Sequence, residues 1–207
     1  MAKFRFYALW LCLACILIYL IQIAVPGFTD LFVLNQSSYF QIWRFVSAIF
    51  LHASPAHLIF NLFALALFGL ILEKLIGGKK FLLIFFLSGI LANVVAVNFY
   101  PASLGASGAI YGILGCLAFI RPTMPVFAFG LPMPMFIAAI LWIIAAVLGI
   151  FVPSTTGDIA HLSGIAVGFI YGLFLRLRRK EIKNNYGYKV KIPEDYMRAW
   201  EERYMRV

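Results

Sequence analysis

Six long apolar runs, separated by short polar or charged segments, leave this chain little choice of solvent. Hydrophobic residues make up 64% of its 207 residues, and only 12% are charged. A soluble domain is apolar over about half its sequence. Several runs approach or exceed the roughly eighteen residues that let a helix cross a hydrocarbon core about 30 Å thick. A soluble fold with buried helices would need polar surface that is not encoded here. The expected fold is all-α: a polytopic transmembrane six-helix bundle with spans at about 7–25, 56–72, 81–99, 107–120, 133–152 and 158–175. Pro132 and Pro134 disturb the start of the fifth. The segment from Pro26 to Trp43 mixes polar and aromatic residues and reads as an amphipathic interfacial loop with short helices.

Six spans return the chain to the side on which it started. With the N-terminus inside, the inner segments collect Lys3, Arg5, Lys74, Lys79, Lys80, Arg121 and the tail's Arg176, Arg178, Arg179 and Lys180, and the outer loops keep only Arg44. The positive-inside rule selects that orientation. It puts both termini in the cytoplasm of a cell-membrane, multi-pass protein, with a basic cytoplasmic tail at 179–207. The net charge of +9 then points to anionic lipid and not to nucleic acid. The first run has no small-residue cleavage site and polar mature start, so it reads as a span and not as a signal peptide. Cys12, Cys15 and Cys116 lie in apolar runs, an odd set that argues against a disulfide framework.

Polar residues inside such spans are functional candidates by default. The fourth run, Ser107 to Ile120, rises roughly 21 Å at 1.5 Å per residue, so its outer end sits below the membrane surface. Counted from the inner ends of their own spans, His161 stands roughly 21 Å high, Asn61 roughly 17 Å and His57 roughly 23 Å. A serine, a histidine and a histidine–asparagine pair thus share one outer layer. Ser107 lies in Gly105-Ala106-Ser107-Gly108, at a loop-to-helix transition. Free N–H groups at a helix start favour developing negative charge, although a serine there is also an ordinary cap. His161 can act as general base. Gly164, Gly168 and Gly172 follow it at four-residue spacing, and Gly108 and Gly112 repeat that spacing beside Ser107. Close packing along these glycines would join Ser107 to His161.

His57 and Asn61 share one helical face and can donate to an oxyanion, or can simply tie spans together. His52 can buttress them. The three histidines make a metal site conceivable, but no carboxylate or cysteine ligand stands at convincing spacing and no HExxH occurs. Neither a metal nor another cofactor is expected. Asp158, three residues before His161, fits an N-cap better than a triad acid. Tyr111 can pack on the His161 ring, and Arg44 of the Trp43-Arg44 pair reads as a loop tether.

These pieces together resemble the rhomboid intramembrane serine proteases: Trp43-Arg44, His52, His57-x-x-x-Asn61, Glu73, Gly105-Ala106-Ser107-Gly108 with Tyr111, and Ala160-His161-x-x-Gly164-x-x-x-Gly168. They stand in the family order over residues 5–178. The resemblance implies an intramembrane serine endopeptidase with Ser107 as nucleophile and His161 as base. His57, Asn61 and the Ser107 N–H would form the oxyanion hole. It further implies that Trp43 and Arg44 belong to a membrane-embedded loop and that Glu73 makes a structural hydrogen bond near the inner end of span two. Span five would be a lateral gate, and the loop before Asp158 a cap. The chain is similar to the minimal prokaryotic forms, without a large soluble N-terminal domain or a seventh span. The expected partners are single-span membrane protein substrates and the lipid bilayer, with no nucleic acid. Two other classes compete: a non-proteolytic adaptor for client helices, which has no need of a Ser–His pair, and a small-solute transporter, which predicts internal repeats that are not seen.

Overall fold

The computed structural model describes residues 5–151, 157–185 and 195. Four helices among them are long and apolar enough to cross a membrane: α1 (Tyr7–Ala24), α2 (Pro55–Ile76), α3 (Gly78–Ala96) and the apolar part, Asp158–Arg178, of α6 (Asp158–Asn185). Two shorter apolar helices, α4 (Ser107–Ile120) and α5 (Met135–Ile150), complete the set. The chain is thus an all-α bundle with an apolar exterior. Trp10, Leu20, Ile23, Phe60 and Phe63 all lie exposed, a surface for lipid and not for water. Lys3, the end of the fifth span at Val152, the expected cap loop (residues 152–156) and the tail beyond 185 apart from residue 195 lie outside the described residues.

The boundaries differ from expectation where local chemistry overrides hydropathy. α2 starts one residue early because Ser54 caps it, its side chain accepting from the His57 N–H, with Pro55 at the first helical position. It also runs past Leu72 to Ile76, so the polar stretch from Glu73 to Lys80 is almost entirely helical. The turn to α3 is Gly77 alone, at φ +86°, a conformation that costs glycine little. Within α2, Leu65–Gly69 forms a π-helical turn, with Gly69 packed close against Ala8 of α1.

The interfacial segment contains short helices as expected, at Phe28–Phe32 and Arg44–Ser47, with a 3₁₀ turn at Gln36–Tyr39. Two small antiparallel ribbons were not anticipated. β1 (Leu34–Asn35) pairs with β2 (Ala102–Ser103), joining the first loop to the one before Ser107. β3 (Pro125–Ala128) and β4 (Leu131–Pro134) form a hairpin between α4 and α5.

The core centres on α4, most of whose residues are buried. Its glycines meet neighbours on two sides. A Cβ on Gly108 would strike Ala92 of α3, and one on Gly112 would overlap Ser88. On the other side, a Cβ on Gly164 would overlap the Gly108 carbonyl oxygen, and one on Gly168 the Gly112 carbonyl oxygen. The α4–α6 seam expected from the glycine spacing is therefore backbone against backbone.

Candidate active site

Ser107 is the first helical residue of α4, with Ala106 as its cap, so it is not itself a capping serine. The first N–H groups of such a helix have no intrahelical acceptor. Gly105 holds the approach at φ +122°, and its N–H donates to the Ala48 carbonyl at 2.8 Å. That bond and the β1–β2 ribbon fold the loop inward, as the shortness of α4 requires.

The seam brings His161 to Ser107: Nε2 lies 2.8 Å from Oγ. The ring is stacked on Tyr111, with centroids 4.3 Å apart and planes within 1°. Tyr111 is one helical turn beyond Ser107, so one helix fixes both the hydroxyl and the plane of the imidazole. The other nitrogen, Nδ1, is 3.8 Å from Asp158 Oδ1. That exceeds hydrogen-bond length and suits an ion pair once the ring is protonated. Asp158 opens α6, and its carboxylate rests against Gly149 of α5.

Across the cavity, the Ala53 N–H lies 3.4 Å from His57 Nδ1, oriented as a donor. This assigns the proton to Nε2, the edge that packs on Gly105. Asn61 donates through Nδ2 to the His57 carbonyl at 2.8 Å, and its Oδ1 has no partner among the described residues. His57, Asn61, Ser107, Gly108 and His161 line one cavity of about 800 Å³. The common layer inferred from three separate spans is one place in the fold.

The remaining candidates surround this cavity. The buried His52 ring holds the Phe50 carbonyl at 3.2 Å through Nδ1 and meets His57 edge-on at 5.1 Å. Burial, reinforced by the His57 ring, pushes the His52 pKa down to about 4 against the opposing pull of the Phe50 carbonyl. Arg44 Nη1 donates to the carbonyls of Asp30 (2.9 Å) and Val33 (2.7 Å), while Trp43 is half-exposed. Glu73, fully buried, accepts from the N–H groups of Arg5 (3.0 Å) and Ala8 (3.2 Å) at the start of α1. It lies far along α2 from the cavity. Among the described residues no group of three or more His, Cys, Asp or Glu could hold a metal ion.

Three polar residues near the site escaped the sequence reading. Gln22 exchanges hydrogen bonds with the His52 main chain. Asn93 donates to the Phe45 carbonyl at 2.8 Å and lines the cavity. The Tyr100 hydroxyl accepts from the Ile159 N–H at the start of α6. Gln22 and Asn93 each stand as a lone amide in an apolar helix, the signal that could have flagged them.

The model of the Rhomboid domain matches residues 39–178. The chain belongs to the rhomboid family. It is 30% identical over 178 residues to rhomboid protease GlpG of Haemophilus influenzae, covering 82% of this chain and 91% of that one. It is 36% identical over 143 residues to a putative rhomboid protease, YdcA, of Bacillus subtilis, covering 67% and 69%. Rhomboid protease GlpG of Yersinia pseudotuberculosis is 32% identical over 140 residues, covering 66% and 49%. A rhomboid chain with these helices is a multi-pass membrane protein.

Proposed function

We propose that this rhomboid is an intramembrane serine endopeptidase working through a Ser107–His161 dyad on single-span membrane proteins. The observation that carries the reading is the 2.8 Å contact between Ser107 Oγ and His161 Nε2 inside a cavity shared with His57 and Asn61. An adaptor that only binds client helices has no use for that contact.

In the first step Oγ bonds to a peptide carbonyl carbon and its proton passes to His161 Nε2. The carbonyl oxygen becomes an anion facing the Ser107 N–H, the His57 Nε2–H and an Asn61 amide N–H. When the C–N bond breaks, His161 returns the proton to the leaving amine. Water then adds to the acyl carbon as His161 accepts its proton, and the adduct collapses by breaking the C–Oγ bond while His161 returns that proton to Ser107 Oγ and the carboxylic acid leaves. Tyr111 keeps the ring in plane throughout. Asp158 stabilises the imidazolium through space, without the direct hydrogen bond of a triad. Neither a metal nor another cofactor is assigned a role.

The domain extends over 1–178 with both termini cytoplasmic, and 179–207 form a basic tail. Purified protein is expected to cleave a model transmembrane substrate and to react with a fluorophosphonate probe. Ser107→Ala should abolish both while the far-ultraviolet spectrum and melting profile stay unchanged, and His161→Ala should abolish labelling. Undiminished labelling of a folded Ser107→Ala protein would overturn the assignment.

A further inference from the structure

The hairpin between α4 and α5 carries chemistry that the active site does not use. From Pro122 to Gly157 the chain has no ionisable side chain. The other turn at this end of the bundle, around Gly77, is flanked by Lys74, Lys79 and Lys80. Aqueous turns draw on Asn, Asp and Ser beside Gly and Pro, and residues 125–134 contain no Asn, Asp or Ser. Its tip is Phe129-Gly130, both at positive φ (53° and 78°), as a type I′ turn demands. Phe127, Phe129 and Leu131 are each more than half exposed. The hairpin's other face is occupied: Val126 and Ala128 are buried, and Phe129 leans on Trp142 of α5 at 5.7 Å.

The backbone is prepared for the same surroundings. The register is Pro125↔Pro134, Val126↔Met133, Phe127↔Pro132 and Ala128↔Leu131. In a two-residue hairpin, the pair flanking the turn exchanges hydrogen bonds and pairs alternate from there. Ala128↔Leu131 and Val126↔Met133 are therefore the bonded pairs. At the other two pairs any N–H points outward without a partner. Three of those four positions are proline, which has no N–H, so Phe127 alone of the four presents an outward donor, and the two turn amides, of Phe129 and Gly130, stand outside the ladder at the tip. Unpaired donors are expensive in lipid and cost little in water. The outward carbonyls suit the boundary between headgroups and acyl chains better than the bilayer centre. The exposed residues also continue the apolar face of α5, where Phe136, Ile137 and Ile140 are exposed. At 16 residues α5 rises about 24 Å, short of the roughly 30 Å hydrocarbon core. The hairpin extends its apolar surface at that end.

We propose that residues 125–134 are a lipid-immersed anchor, docked on the acyl chains of the leaflet at the Arg121 end of the bundle. The ribbon holds the start of α5 in the membrane where its connection to α4 would otherwise enter water. The inference rests on the multi-pass membrane fold and not on the proteolytic reading.

Spin labels at Phe129→Cys and Leu131→Cys test it, in full-length protein reconstituted in phosphatidylcholine–phosphatidylglycerol vesicles permeabilised to small solutes. Lys79→Cys serves as the aqueous control. Relaxation by oxygen should exceed relaxation by a water-soluble nickel chelate at least threefold at both hairpin positions, with the reverse order at position 79. Nickel accessibility at 129 and 131 equal to that at 79 would overturn the proposal, and would indicate a ribbon lying in water or awaiting a protein partner. Hydrogen–deuterium exchange on the unsubstituted protein removes dependence on the variants. The Phe127 amide should exchange at least tenfold more slowly in vesicles than in a short-chain detergent. Equal, water-like exchange in both would also refute the anchor.

Discussion

Ser107 and His161 illustrate how few atoms separate a structural polar residue from a candidate nucleophile. A first-turn serine is ordinary until an imidazole stands 2.8 Å from its oxygen. On the opposite wall, the Ala53 N–H directs the His57 proton to Nε2. If that proton and the Asn61 amide serve the oxyanion, His57→Ala or Asn61→Ala should each lower kcat by about a hundredfold. KM should move less, and fluorophosphonate labelling should slow without vanishing. Equal kcat in a folded variant would remove that residue from the oxyanion hole. Arg44 has a different kind of role. Its two hydrogen bonds to main-chain carbonyls fasten the segment between α1 and α2. Arg44→Ala should cost about 3 kcal/mol, since bonds from a charged donor contribute about 1.5–3 kcal/mol each. A thermal-unfolding series in detergent would read that loss.

Between elements, the α4–α6 seam converts sequence spacing into the Ser107–His161 contact. The four-residue glycine series was legible because close helix contact demands small residues at that period, and the Ser107–His161 pairing followed from it. Gly164→Val would force a side chain into the Gly108 carbonyl. The helices would have to separate, at a cost of about 3 kcal/mol or more, and the hydroxyl would lose its imidazole. Reduced stability together with lost labelling is the expected signature, and a stable, fully labelled Gly164→Val protein would contradict it. Other features were hidden from the sequence. Hydropathy cannot distinguish a span's end from a helical continuation through charged residues, so the one-residue turn at Gly77 was missed. The β3–β4 hairpin was missed because three prolines argue against strands, and only the paired register shows them at positions where no N–H is needed. Gln22 and Asn93 were readable as lone amides, but their partners are main-chain groups that no motif announces.

For the whole molecule, composition decided the solvent and the alternation of spans decided the layout, which is why the bundle and the depth of the site could be argued before any coordinates. The proposed orientation follows from where the cations sit. A membrane-impermeant maleimide should label Phe40→Cys in intact cells, and Lys79→Cys only after the membrane is breached. The opposite pattern would invert the proposed topology. The single residue joining α2 to α3 has a mechanical corollary. Two helices pinned at so short a joint cannot slide along one another, and His57 and Asn61 ride on one member of that pair. A visiting helix that needed room beside Ser107 would therefore gain none from sliding of α2 against α3.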